Sequence, residues 1–270
     1  MFGAFTSFGK LGSLARAIAA TWSPTDLTAL AAWYDPSDLS TMFQDAAGTT
    51  PVTAAGQPVG LILDKSGNGH HASQTTSTAR PLFQIDGSGN CYLAFDGVDD
   101  SLSTSAIDLT GTDKVTQFLG VQNAEISDAM VYSDFGLDAT GSFVSLSGIG
   151  AYGDIGIFKR GTGSNGSQKT AAKPAGTTGV LSFSLDLAGA TPDLQNPLFN
   201  WDGAPAGIDT NTDIGAGTFG NRALYIGASA GAEYFFNGNI YSLIIGGALY
   251  DAETVLAAET WVAGKAGVTL

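Results

Sequence analysis

A single cysteine, Cys91, leaves no partner for a disulfide within the chain, so stability has to come from packing or assembly. With no second thiol and no close histidine, Cys91 seeds neither a thiolate metal site nor a Cys-His nucleophile. Between Asn90 and Tyr92, at the entry to an apolar run, it is expected as a small buried hydrophobe. Histidine is scarce too, with His70 and His71 the only two. Neighbours on an extended segment point to opposite faces, so at most one of them can serve a Ser-His-Asp arrangement. Neither has a companion at helical metal-ligand spacing, which argues against zinc. Positive charge is also in short supply: 11 Lys+Arg stand against 25 Asp+Glu, a formal charge of -14 that repels phosphate backbones and anionic membranes. No nucleic-acid partner is expected. No stretch of about 18 apolar residues is present, so no membrane insertion by a helix is expected either. Lys10 and Arg16 interrupt what would be the apolar core of a signal peptide in residues 1–22, and cleavage is not expected.

What the chain does hold is 37 glycines, 10 % aromatic residues and abundant Ser, Thr and Ala, with only 13 % charged residues. That composition fits an ordered β-sandwich with many glycine turns, and the length suits one large domain or two small ones. Short strands are expected at 59–63, 80–84, 91–95, 100–103, 115–121, 129–134, 142–147, 154–159, 179–187, 197–201, 222–227 and 239–246. Separated by turn residues, they predict two packed antiparallel sheets. The polar stretch 161–178 reads as an exposed loop or long hairpin tip.

The ends of the chain differ from its middle. Phe2, Phe5 and Phe8 form an aromatic hook, and Leu11, Leu14, Ala15, Ile18 and Ala19 fit one helical stripe, so residues 1–22 read as a docking segment for a partner. Ser23-Pro24-Thr25-Asp26 has the cap, proline and acidic residue that open a second short helix, with Leu27, Leu30 and Ala31 following it. At the other end Asp251 caps a helix that carries Glu253, Val255, Leu256, Ala258, Glu259, Trp261 and Val262, with Gly264 as its stop. The expected class is all-β: a two-sheet antiparallel sandwich over residues 23–270, with short N-terminal helical segments and a C-terminal helix.

Between a strand and the next lies Asp64-Lys65-Ser66-Gly67-Asn68-Gly69-His70-His71, where glycines at 67 and 69 admit positive φ and Asp64 and Asn68 can bond local amides. This rigid turn serves either as punctuation or as a set of oxygen ligands. Asp96, Asp99 and Asp100 gather carboxylates around Gly97, the oxygen chemistry that calcium takes, and a plain polar turn is the competing reading. For sugar recognition an aromatic face beside amide and carboxylate groups is the usual physical solution. Asn200, Trp201 and Asp202 form one such set, Tyr152 and Asp154 another, and a Trp buried in the core explains Trp201 equally well. Glycosidase chemistry needs a pair of carboxyl groups across the scissile bond. The four glutamates, Glu125, Glu233, Glu253 and Glu259, show no Glu-x-Asp-x-Glu spacing, so no catalytic residue is assigned.

Several of these segments, in this order, resemble the concanavalin A-like, or laminin-G-like, jelly-roll superfamily. They are Asp64 to Ala72, Leu93-Ala94-Phe95-Asp96-Gly97-Val98-Asp99-Asp100-Ser101-Leu102, Leu224-Tyr225-Ile226-Gly227, Phe236-Asn237-Gly238-Asn239-Ile240-Tyr241-Ser242-Leu243, and the closing helix. Trp33-Tyr34-Asp35-Pro36-Ser37-Asp38-Leu39-Ser40 and Gly56-Gln57-Pro58-Val59-Gly60 further resemble domains in structural proteins of tailed bacteriophages. The resemblance implies a jelly roll and a non-enzymatic virion protein: a head fibre, decoration protein or tail appendage. Such a protein would be assembled in the host cytoplasm and docked through residues 1–22 on a capsid, portal or tail partner. A homo-oligomer displaying the sandwich towards host-surface glycans is the expected form, although no heptad run announces a coiled coil. A stand-alone carbohydrate-binding lectin module, with or without calcium, is the alternative, and a glycan hydrolase the third reading.

Overall fold

The computed structural model describes residues 22–125, 129–137, 139–148, 154–163, 166–169, 173–189, 197–206, 208–210 and 215–270. In chain order its strands are β1 (Leu30–Tyr34), β2 (Met42–Phe43), β3 (Leu61–Ile62), β4 (Ala72–Ser73), β5 (Leu82–Ile85), β6 (Cys91–Asp96), β7 (Leu102–Asp108), β8 (Lys114–Asn123) and β9 (Met130–Asp134). They continue as β10 (Ser142–Ser147), β11 (Ile155–Arg160), β12 (Gly166–Lys169), β13 (Thr178–Asp186), β14 (Leu198–Trp201), β15 (Ala204–Pro205), β16 (Ile208–Thr210), β17 (Asn221–Ile226) and β18 (Asn237–Gly246). One helix, α1 (Ala252–Ala266), follows them.

The strands form two antiparallel sheets, one ordered β15-β14-β13-β8-β18-β6-β5, the other β16-β12-β11-β10-β9-β17-β7-β4-β3-β2. In the first sheet β18 serves three neighbours. Its first half pairs with β6, its second half with β1, and its other edge with β8. This is the two-sheet antiparallel sandwich that the strand pattern predicts, and it is consistent with the jelly roll that the resemblance implies.

Alternation divides each strand between two environments. Side chains such as Phe83, Phe95, Leu119, Phe143, Phe183 and Leu243 meet between the sheets. Within that apolar layer Gln117 donates to Ser145 at 3.0 Å, Ser133 donates to Gln117 at 2.7 Å, and the two serine hydroxyls lie 2.7 Å apart, a closed polar triangle that joins one sheet to the other. The opposite face of the first sheet presents Phe118, Val180 and Ile244, and α1 covers them with Val255, Ala258, Val262 and Ala263. Small residues let the helix approach: a Cβ on Gly120 would lie 3.2 Å from Val262 and 3.4 Å from Ala266.

Three expectations need correction. The capping signals at Ser23 are real, since the Asp26 carboxylate accepts from Ser23 N at 2.9 Å, but they close only a 3-10 turn over Pro24–Asp26. The chain then reverses at Ala29 (φ 54) and runs on as β1. Leu30–Tyr34 is apolar throughout because β1 is covered on both sides, Trp33 facing α1 and Tyr34 the space between the sheets. Within 161–178, expected as an exposed loop or long hairpin tip, Gly166–Lys169 forms β12, which pairs antiparallel with β11 as a hairpin arm and with β16 on its other edge. Finally α1 passes Gly264 and ends at Ala266, with Gly267 in the left-handed conformation (φ 69) as its cap. Val262 and Ala266, buried on either side of Gly264, carry the helix past a glycine that costs it about 1 kcal/mol.

The 64–71 turn is punctuation that anchors β1. Gly67 and Gly69 take positive φ as expected (90 and 79). The buried Asp64 carboxylate accepts from Trp33 N at 3.0 Å, Ser66 N at 2.9 Å, Ser66 Oγ at 2.7 Å and His70 N at 3.0 Å. Asn68 Nδ2 donates to the Leu30 carbonyl at 2.7 Å, and Tyr34 Oη to that of His70 at 2.5 Å. The two histidines part as adjacent extended residues should. His71 Nδ1 accepts from Asp64 N at 3.0 Å, whereas His70 Nδ1 lies 3.4 Å from Ser105 Oγ.

Candidate functional site

Residues 200–202, expected to act together, are dealt to three environments by strand alternation and the turn that follows. Trp201 points between the sheets, 6 % exposed, and is a core residue rather than an open platform for a sugar. Asp202 turns back on β13: its carboxylate accepts from Val180 N at 2.8 Å, its own N–H donates to Val180 O at 2.9 Å, and burial raises its carboxyl from the ordinary value against the pull of that bond and of Lys173. Asn200 alone faces the helix-covered side, where its Nδ2 donates to Glu259 Oε1 at 2.9 Å.

Glu259 is 2 % exposed, on a helix face otherwise made of Val255, Ala258, Val262 and Ala263. Ser182 Oγ also donates to its Oε1. Between the first half of α1 and strands β13 to β15 lies a groove of about 650 Å³. Asn200, Glu259 and Ser184 supply its polar lining, and Tyr250, Leu198, Val255 and Leu256 its apolar walls. Tyr250 is held in place by Oη, which donates to Thr28 O at 2.7 Å, and burial lifts its hydroxyl to about 12. An aromatic ring, a fixed amide and a carboxylate thus border one groove.

Glu259 was legible only as a helical glutamate. The signal that marks it is its register: 255, 258, 259, 262 and 263 make one stripe, and a glutamate in such a stripe is a charge carried into an apolar layer.

Asp96, Asp99 and Asp100 do converge, with one ligand oxygen from each lying within 4.8 Å of the others, the cluster of this kind found among the described residues. The turn is braced from within: Val98 N donates to Asp96 Oδ1 at 2.8 Å and Asp96 N to Asp100 Oδ2 at 3.0 Å. Burial, then the charges of Asp96 and Asp99, push the Asp100 carboxyl up to about 6. Three carboxylate oxygens suit a hard cation, which needs further oxygens from backbone or water.

Of the glutamates, Glu125 accepts from Asn237 Nδ2 at 2.7 Å, Glu233 belongs to the 229–233 turn, and Glu253 lies in the first turn of α1. Cys91, expected buried, is half-buried at the start of β6, where the chain leaves the surface turn at 86–90, and burial pushes its thiol up. Tyr152 and the docking residues Phe2, Phe5, Phe8, Leu11, Leu14 and Ile18 lie outside the described residues. Asp154 is buried beside β11.

No family model matches the sequence, and no curated protein matches it. Solved structures do match in fold. Domain 4 of AbnA, a GH43 extracellular arabinanase from Geobacillus stearothermophilus in complex with arabinotriose, aligns over 85 % of this chain and 98 % of that domain, with TM-score 0.56 and 14 % identity. A Trypanosoma rangeli sialidase aligns over 97 % of this chain and 41 % of its own length, at TM-score 0.53 and 14 % identity. The binding domain of botulinum neurotoxin serotype G covers 74 % of this chain and 48 % of that one, at TM-score 0.52 and 10 % identity. The chain is therefore a jelly-roll β-sandwich, the fold it shares with these domains. At these identities the likeness is one of fold, and it lends no support to the phage part of the resemblance.

Proposed function

We propose that this chain is a non-catalytic glycan-binding module whose site is the groove between α1 and β14. The observation that carries the reading is the Asn200–Glu259 bond of 2.9 Å in the same groove as Tyr250. A pyranose offers C–H faces and hydroxyl edges, and a ring beside a fixed amide and carboxylate answers both. The GH43 domain with arabinotriose, a sandwich of the same fold, lends the reading its context. Glycoside cleavage needs two carboxyl groups, and among the described residues lining this groove Glu259 is the one carboxylate. A glycan array probed with the full chain tests the proposal. Retention of oligosaccharides that is lost in Asn200→Ala supports it, and no retention on the array sinks it.

A calcium-dependent form of this reading would use Asp96, Asp99 and Asp100, where a cation would relieve the crowding that raises Asp100. Its test is the melting temperature in calcium against chelator. Display on a virion adds a tether to the same module. The apolar residues Phe2, Phe5, Phe8, Leu11, Leu14 and Ile18 would attach it to a capsid, portal or tail protein. Purified particles that lack this chain would end that version and leave glycan binding standing.

A further inference from the structure

A carboxylate carried into an apolar layer needs a donor or solvent at each of its oxygens. Glu259 is such a group. Ser182 and Asn200 both donate to Oε1, and among the described residues no donor is bonded to Oε2. Oε2 lies toward the turn at Gly203, 3.7 Å from where a Cβ on that residue would stand, a point that Leu270 Cβ and Cδ1 flank at 3.5 and 3.6 Å, and both Gly203 and Glu259 line the groove. Asn200 is fixed by giving its Nδ2 to Glu259, so what its amide still has to offer the groove includes the acceptor Oδ1. Among the described lining residues there is no Lys or Arg to set against these acceptors. Lys173, the cation near β14, lies over the Trp201 ring at 5.4 Å, a ring directed into the core and not into the groove.

We infer that Glu259 makes this groove select neutral, hydroxyl-donating glycans and reject anionic ones. The inference rests on the glycan-binding reading and specifies its ligand. A sugar diol supplies the donors that Oε2 and Oδ1 lack. A carboxylated or sulfated sugar brings acceptors and negative charge against a carboxylate with no cation between them, in a chain whose formal charge is -14.

Matched glycan pairs on one array, identical except for a terminal sialic acid or sulfate, test the inference with the full chain. Wild type is expected to retain the neutral member at least about tenfold better than its acidic partner. Glu259→Gln, isosteric and still able to accept from Ser182 and Asn200, is expected to narrow that gap. Acidic members retained as well as neutral ones by wild type overturn the inference while glycan binding stands. A gap that Glu259→Gln leaves unchanged, in protein that melts like wild type, removes Glu259 as its cause and overturns the inference too. Binding of neither member overturns the inference and the reading beneath it together. The wild-type comparison decides the matter even where the variant fails to fold.

Discussion

Lys265, in the last turn of α1, lies 3.1 Å from Oδ2 of Asp35, just past β1, and ties the helix to the first strand of the sandwich. Lys65, from the 64–71 turn, reaches the same oxygen at 3.2 Å. Each ammonium also sits over an indole, Lys65 over Trp33 at 4.5 Å and Lys265 over Trp261 at 4.6 Å, and the two rings meet edge to face at 5.6 Å. Burial would raise the Asp35 carboxyl, but the Ser37 bond and the charges of Lys265 and Lys65 outweigh it and hold the carboxyl below its ordinary value. A depressed acid stabilises the fold above its unfolded pKa of about 3.9, and that contribution is lost as pH falls through the folded value. Asp35→Asn is expected to cost about 3 kcal/mol at pH 7 by urea unfolding and to flatten the acid limb of the stability curve. An unchanged acid limb would show that the clamp does not couple to folding.

Asp64 offers a sharper test of the same corner. Four donors converge on its carboxylate, and the amide of Asn can accept with one oxygen only. Asp64→Asn is expected to lose roughly 2–4 kcal/mol, because it leaves buried donors of β1 and the turn unpaired. Ser66→Ala removes one donor to the carboxylate together with the weaker bonds of the same hydroxyl to Asn68 N at 3.2 Å and Ala31 O at 3.4 Å, and is expected to cost about 1 kcal/mol. Equal losses in the two variants would contradict the central place given to the carboxylate.

Asp100 shows the opposite sign. Burial and the neighbouring Asp96 and Asp99 raise its folded carboxyl to about 6, so its contribution is full below the unfolded value of about 3.9 and is lost as pH rises towards 6. Asp100→Asn keeps an acceptor for Asp96 N and removes the charge. Thermal melting of the variant at pH 7 is expected to lie a few degrees above wild type, with the two curves closing as pH falls to 4. A variant that melts lower at pH 7 would show that the charge is needed, as it would be at a cation site.

Strand alternation made most of the sandwich legible, and the places where reading failed share one cause. Each turns on what covers a segment, which local pattern does not record. Leu30–Tyr34 is too short and too uniformly apolar to be told from a helix without α1 on one side and the second sheet on the other. β12 carries little apolar pattern because its strand is held by backbone pairing. In β14 a period of two sends Asn200 towards α1 and its neighbour Trp201 into the core, the second of the two readings open for Trp201. Glu259 was legible only as a helical glutamate, and its partners Ser182 and Asn200 lie 77 and 59 residues away along the chain, a distance that only the fold closes.

The groove is the central claim, and a crystal of the full chain soaked with an oligosaccharide that the array retains tests it most directly. The account predicts sugar density between Tyr250 and Glu259, with a hydroxyl within hydrogen-bond reach of Glu259 Oε2. Sugar bound elsewhere on the sandwich, with this groove empty, would contradict it.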